Sequence, residues 1–552
     1  MPALRLSVSR LSRLVGKELT AAEVSELAAS LGMSVEEVSE EHVKVEYNPN
    51  RPDFAHVVSV ARAMRGILGL DGGAPRYRVE PPRDYVIVEP GVRGVRPFIS
   101  CALVRGLQLD DESLEELIIA QEDLHWVIGR DRRKVAIGLH DYSKVSPPFT
   151  YKAVGLDGVK FVPLGEYSEA TPREILLKHP KGRQYAWILK GKEKAPIITD
   201  SKGRVLSFPP IINSSLTELR PGLRDVFIDV TGTDERAVSN ALNILVSAMI
   251  DLGGRARGVE IRYMWLRKRV RTPDLKNRRW ALKPSYVTEL IGQELSPQEI
   301  CRFLRRMRLN ARPEKGSIVV EVPPYRVDIL HEVDLVEEVS IGMDYQNLEP
   351  EFPKTSGTGG LLRSTLMISR IRQLLLSLNL TEVVNTTLSN SERDYNMMMD
   401  GEPAIKILNP VSALYDSVRE RLLPGLLSNL AANTDNPYPQ RLFEIGDVLE
   451  REDTVPERSR RRTNLALVIS HSNASYSEIK SIAEEILRHL SPSLSFQQRD
   501  YPFFIQGRSV SILFGDTAVG YMGEIHPAVL ENFKIPMPTA ALELKLSDIG
   551  IL

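Results

Sequence analysis

Apolar positions along this chain recur with two different periods, and the switches between them mark its elements. Helix-period stretches fall at 14–33, 112–128, 234–252, 290–309, 332–343 and 362–378. Strand-like runs fall at 42–54, 98–104, 134–139, 226–230, 317–329, 441–449 and 463–470. Two of these segments are alike. "LVGKELTAAEVSELAASLGM" (14–33) matches "LIGQELSPQEICRFLRRMRL" (290–309), and each continues through a β-rich stretch into another helix. In both, a hydroxyl residue precedes a glutamate by three positions: Thr20 with Glu23, Ser296 with Glu299. That spacing predicts a capping box at the start of each helix.

The copies stand about 275 residues apart, too far for a solenoid, so they predict two separate small domains. The chain then divides into a first module (1–83), a mixed α/β domain (84–270), a second module (271–348) and a last domain (356–552) reached through the Pro/Gly/Ser/Thr linker 349–360. The fold class is α+β and multidomain.

Composition narrows the function classes. The chain has 552 residues, 42% apolar and 26% charged, as in ordinary soluble globular proteins. Its 71 basic and 72 acidic residues nearly cancel, so a nucleic-acid surface has to be local. Cys101 and Cys301 are the only cysteines, which excludes a disulfide framework or a Cys-based zinc site. No run of eighteen apolar residues and no signal peptide is apparent, and the expectation is a soluble, cytoplasmic protein without a membrane partner.

The densest charge lies in "YRVDILHEVDLVEEVS" (325–340). On a helix, Asp334, Glu337 and Glu338 share one face, and two carboxylates ~5 Å apart repel by roughly 3 kcal/mol at an effective dielectric of ~20. Aligning the copies sets Asp53 against Asp328, and Ser59, Arg62 and Ala63 against the three helix acids. The module therefore folds without those acids. Two readings stand: a solvated helix start favoured by the dipole, or a functional cluster in which Asp328, Asp334, Glu337 and Glu338 meet a cationic partner or serve as oxygen ligands for Mg²⁺.

A second candidate is "SFPPIINSSLTEL" (207–219) followed by "DVFIDVTGTD" (225–234). Strand alternation puts Asp229 and Thr231 on one face. Asn213, Ser214, Ser215 and Thr217 supply amide and hydroxyl groups. These form either a serine/threonine turn with Thr233 capping the next helix, or a pocket for a small polar ligand and a water. His125 and His140 do not read as a catalytic pair. Arg130, Arg132, Arg133 and Lys134 read as a solvated loop or, second, as a phosphate contact, and "SGTGGLLRS" (356–364) as a linker rather than a phosphate loop.

Taken in order, "NPNRPDF", "SFPPIINSSLTEL", "DVFIDVTGTD", "PYRVDILHEVDLVEEV", "RLFEIGDV" and "GYMGEIHPAVL" resemble the β subunit of phenylalanyl-tRNA synthetase in its archaeal/eukaryotic form. The resemblance covers essentially the whole chain. It implies an α₂β₂ tetramer acting on tRNA(Phe), in which the α subunit binds most of the ATP and catalyses charging. It implies winged-helix-like modules, Mg²⁺ on Asp328, Asp334, Glu337 and Glu338, and an editing domain that hydrolyses tRNA mischarged with tyrosine. Asn213, Ser214, Thr217, Asp229 and Thr231 are the expected lining of that pocket. The last domain resembles a class II synthetase core with an antiparallel sheet and no chemistry of its own; 463–552 contains no G-x-G-x-G-x-x-R. An inserted oligonucleotide-binding barrel and a C-terminal anticodon-binding domain, both features of the bacterial form, are absent from the sequence. Two rivals remain at this level: an autonomous Mg²⁺-dependent phosphate hydrolase built on the acid cluster, and a non-enzymatic nucleic-acid-binding scaffold.

Overall fold

Both capping boxes form. Thr20 Oγ1 accepts the Glu23 N–H at 3.2 Å while Glu23 Oε2 accepts the Thr20 N–H at 2.8 Å, starting the helix Ala21–Ser30. Ser296 and Glu299 make the same exchange at 3.3 and 2.9 Å and start Pro297–Arg306. The computed structural model describes residues 2–352, 357–401, 405–490 and 494–550, in two compact units, Met1–Phe352 and Pro353–Leu552.

Within the first unit the likeness of the two modules extends beyond the matching segments. The first runs strand Ala3–Ser7, helices Val8–Val15 and Ala21–Ser30, strands Ser34–Val38 and His42–Glu46, and helix Val57–Ile67. The second runs Arg278–Leu282, Pro284–Ile291, Pro297–Arg306, Asn310–Glu314, Ser317–Val322 and Glu332–Met343 in the same order. In each sheet the last strand in sequence lies in the middle. The modules pack on one another. A Cβ at residue 66 would stand 2.1 Å from the Arg306 carbonyl oxygen, so only glycine allows this approach. Arg306 also donates to the Ile67 carbonyl at 3.2 Å.

Between them lies a ten-stranded mixed sheet. Its strand Val226–Gly232 pairs antiparallel with Phe98–Arg105 on one side and Val135–Asp141 on the other. Every residue of Val226–Gly232 is buried, which places its polar groups where water does not reach freely. The helices Asp111–Val127 and Glu235–Asp251 share one core with these strands and the first module. Asp234, not Thr233, caps the second helix, accepting the Ala237 N–H at 2.8 Å. A carboxylate there also complements the helix dipole.

The second unit is a seven-stranded sheet, antiparallel except for the short strand Thr381–Glu382 beside Gln440–Arg451. Period-two alternation divides its core. Leu465, Leu467 and Ile469 pack with helices Arg363–Ser377 and Tyr476–Leu490, whereas Ala466 and Val468 face Leu423–Ala432 and Pro527–Phe533. Residues 353–356 of the expected linker lie outside the described residues, and 357–362 form no helix or strand. Among the described residues, no helix is long and apolar enough to cross a membrane.

Candidate functional site

The antiparallel register sets Asp229 directly opposite Gly138. A Cβ at residue 138 would lie 2.4 Å from Asp229 Oδ1 and 2.6 Å from His140 Nε2, so the absence of a side chain there makes room for that pair. Asp229 Oδ1 stands 2.6 Å from His140 Nε2, and His140 Nδ1 stands 2.8 Å from Thr217 Oγ1. All three side chains are buried. Thr217 and Asp229 border a cavity of about 530 Å³ bounded by the helix Asp111–Val127, the strand Val135–Asp141 and the segment 207–219, and His140 lies behind them. That volume is within the ~300–1,000 Å³ range of small-molecule sites.

Of the five residues expected to line a pocket, Asn213, Thr217 and Asp229 border the cavity. Ser214 and Thr231 do not. The Ser214 hydroxyl donates to the Val162 carbonyl at 3.3 Å and accepts from the Leu216 N–H. Thr231 is taken by Arg96, whose Nε and Nη2 donate to its hydroxyl and carbonyl oxygens at 3.0 and 2.8 Å. Arg96 is fully enclosed and held by neutral acceptors, and burial lowers its pKa to about 10.

Two features read as incidental in the sequence belong to this site. His140 is part of it, not a lone strand-end histidine. Arg132 is buried rather than solvated: its guanidinium donates to the Ile211 carbonyl at 3.0 Å and to Glu122 at 2.6 Å, and stacks over Tyr185. Burial would raise the Glu122 carboxyl, but His125 and Arg132 outweigh it and hold it well below the carboxylate range. His125, also on the cavity wall, accepts the Ile137 N–H on Nε2 at 2.8 Å. Burial lowers its pKa to about 4, so it is neutral and structural. Lys181 stands 3.4 Å from Glu122 on the cavity wall.

The acidic helix is organised around an arginine. Arg326, itself buried, gives Nε and Nη2 to Asp328 at 3.0 and 2.6 Å, and Nη1 and Nη2 to Glu338 at 2.7 and 2.5 Å. Asp334 Oδ2 accepts the Leu330 and His331 N–H groups, each at 2.7 Å, closing the helix start. Glu337 is exposed. Partial desolvation, with Glu338, Asp334 and Asp328 nearby, raises its pKa. The repulsion expected from the sequence is thus offset by Arg326. Among the described residues, no group of three or more His, Cys, Asp or Glu side chains is disposed to hold a metal ion. As placed, Asp328 and Glu338 offer their oxygens to Arg326 and Asp334 to the backbone, which does not fit a four-carboxylate magnesium site. The first copy has the same arginine–aspartate pair, Arg51 to Asp53 at 2.9 Å through two hydrogen bonds. Arg51 lies close enough to Asp328 to help hold its carboxyl below the usual range, although Arg326 does most of this against the effect of burial.

Comparison with known proteins is consistent along the whole chain. Residues 348–546 match the phenylalanyl tRNA synthetase beta chain CLM domain, and residues 280–345 match the tRNA synthetase B5 domain. The chain is 41% identical to a phenylalanine–tRNA ligase beta subunit of Archaeoglobus fulgidus, over 99% of this chain and 98% of that one. It is 40% identical to that of Methanocaldococcus jannaschii, over 99% of this chain and all of that one. A crystal structure of an N-terminal fragment of the phenylalanyl-tRNA synthetase beta subunit from Pyrococcus horikoshii aligns with 62% of this chain and 99% of its own, at 37% identity and a TM-score of 0.60. Identity of this extent, at both ends and through the middle, makes the chain a member of the phenylalanine–tRNA ligase beta-subunit family.

Proposed function

We propose that this chain is the non-charging subunit of a phenylalanine–tRNA ligase, and that its middle domain hydrolyses tRNA(Phe) mischarged with tyrosine. The observation that carries the first part is the 41% identity across 99% of the chain to a beta subunit of that enzyme. The second unit supports a partner chain. Leu361, Leu362, Leu408, Val411 and Leu414, on two segments of this unit, are 65 to 107% exposed, and large exposed apolar side chains of this kind suit a surface that a partner covers. An α-type subunit covers such a surface in the assembly we propose, an α₂β₂ tetramer in which α binds most of the ATP and carries out charging. On the opposite side of the second unit's sheet from the long helices, space is filled by Leu423–Ala432 and by Phe503 and Phe504. Glu543, buried there, accepts the Leu422 and Leu423 N–H groups at 2.9 and 3.1 Å. That carboxylate stabilises a helix start instead of holding a substrate.

The cavity supports the second part. A charging pocket shaped for phenylalanine rejects an added hydroxyl weakly, so tyrosine enters and a second, hydrolytic site is needed. Asn213 offers the amide that meets a tyrosyl hydroxyl or amino group, Asp229 and Thr217 hold a water, and Ser214 and Thr231 brace the wall from behind. Magnesium on the acidic helix would require Asp328 and Glu338 to leave Arg326, so no step is assigned to it. The same ion pairs weigh against an autonomous metal-dependent phosphate hydrolase.

Phenylalanine charging of tRNA by the α-type chain from the same genome, measured alone and with this chain added, tests the subunit assignment. Charging that appears only with both chains, and co-purification of the two, is expected. An inactive mixture whose chains do not associate would overturn it.

A further inference from the structure

Thr217, His140 and Asp229 form a chain of hydrogen bonds whose two ends border the cavity, with His140 enclosed between them. His140 is fully enclosed, with Nδ1 2.8 Å from Thr217 Oγ1 and Nε2 2.6 Å from Asp229 Oδ1. Thr217 Oγ1 also lies 3.3 Å from the Ser214 carbonyl oxygen. A threonine hydroxyl has a single proton to donate, and here it has two acceptors to choose between. Turned to Nδ1, it leaves His140 neutral, with Nε2–H donated to the ionised Asp229. Turned to the Ser214 carbonyl, it accepts from a protonated Nδ1, and His140 is an imidazolium between Thr217 and Asp229. The two states differ by one proton and one hydroxyl rotation, with no heavy atom displaced.

We infer that these three residues form a proton relay for ester hydrolysis in the cavity, an inference that rests on the editing reading. A water bound at Thr217 adds its oxygen to the acyl carbon of an aminoacyl ester. As it does so, it passes one proton to Thr217 Oγ1, and Thr217 passes its own proton to His140 Nδ1. Asp229 stabilises the imidazolium, and Thr217 turns to Ser214. Collapse of the tetrahedral adduct breaks the bond from the acyl carbon to the ribose oxygen. The proton returns from Nδ1 through Thr217 to that oxygen. One water is consumed, and one amino acid and one free ribose hydroxyl are formed. The arrangement follows the general pattern of a hydroxyl, a base within hydrogen-bond reach and a third group orienting that base, with water rather than the hydroxyl as nucleophile.

The other groups around the pair suit this. Arg96, Tyr151 and Cys101 face Asp229 from the neighbouring strands and loops. Burial raises the tyrosine and cysteine pKa values, so both are neutral and Arg96 is the one charge beside Asp229 among them. Ser207 Oγ stands 3.4 Å from Asp229 Oδ1, and the Phe227 ring packs beside the imidazole, its centroid 6.2 Å away.

The test is deacylation of Tyr-tRNA(Phe) by the full complex between about pH 5 and pH 9, the range across which histidine changes charge. The wild-type rate is expected to fall at the acid end, where assistance by a neutral imidazole base is lost. Thr217→Val, close to isosteric, and His140→Gln are expected to lower kcat at least ~100-fold, the scale of general-base assistance, with little change in KM and loss of the acid limb. Thr217→Ser is expected to restore both rate and limb. Phenylalanine charging by the same preparations reports whether the complexes are assembled. A Thr217→Val complex with wild-type kcat and an unchanged acid limb would overturn the relay and leave the editing reading standing. A wild-type complex that does not deacylate Tyr-tRNA(Phe) would overturn both.

Discussion

Arg326→Met removes the cation on which the acidic helix depends. Arg326 makes five close contacts to Asp328 and Glu338, and those side chains are only 9 and 4% exposed. The variant leaves two nearly buried carboxylates, with Arg51 and Arg278 among the cations still close to Asp328. Breaking a buried pair on one side costs about 3–5 kcal/mol, because the surviving charge is left uncompensated. A loss of that size is expected for the second module at neutral pH. It should shrink toward acid. Asp328 is held below its ordinary pKa in the wild type, so its stabilisation is present above about pH 4 and is lost as pH falls through the depressed folded value. In the variant the acids protonate readily, and the difference closes. Urea unfolding followed by Trp280, which packs against this module's core, reads the effect when the other three tryptophans are replaced by phenylalanine. Adding Glu338→Leu to Arg326→Met should recover part of the loss. A destabilisation below about 1 kcal/mol, or one that grows toward low pH, would refute the account of this cluster and reopen the case for a bound cation.

Three further outcomes follow from individual side chains. His125 is neutral in the fold, with a pKa of about 4 against an ordinary 6.5; the unfolded chain binds the extra proton between those values. Stability of the first unit should therefore be full above pH 6.5 and fall by about 3 kcal/mol on acidification toward pH 4, and His125→Gln should flatten that slope in urea titrations. Gly138→Ala drives a methyl against Asp229 and His140; Tyr-tRNA(Phe) deacylation should drop by about 100-fold or more, the scale of misplaced catalytic groups, while phenylalanine charging persists. Leu361→Glu with Leu362→Glu alters side chains already 65 and 74% exposed, so the circular dichroism melting curve of the isolated chain should stay in place while co-purification with the α-type chain is lost.

The sequence disclosed what is local and hid what is distant. Thr20, Glu23, Ser296 and Glu299 lie within three residues of their partners, and both helix starts form as expected. The module repeat was visible in its helices, but not in the strands that begin each copy. Ala3–Ser7 is only five residues long, and its alternation, with Leu4 and Leu6 inward, is too short to stand out. His140 does not stand out in the sequence because its partner Asp229 is 89 residues away. Its strand is buried along its whole length, so alternation pointed to no inner face. Thr231 shares a face with Asp229, as strand geometry requires. Its role was nonetheless set by Arg96, whose complete burial no local pattern announces. Arg326 could have been noticed: the pattern of an arginine two residues before an aspartate stands in both copies, at 51 and 53 and at 326 and 328.

We propose that the cavity beside Asp229 hydrolyses mischarged tRNA, and the charge of that carboxylate is the place to test it. Asp229→Asn keeps the side chain's shape and removes its charge. The decisive measurement is the amount of Tyr-tRNA(Phe) that accumulates when the assembled complex is given tyrosine, ATP and tRNA(Phe), with either the wild-type chain or the Asp229→Asn variant, alongside phenylalanine charging. The wild type is expected to keep Tyr-tRNA(Phe) near background and the Asp229→Asn complex to accumulate it, with phenylalanine charging equal in the two. Equal, low accumulation from both complexes would contradict it.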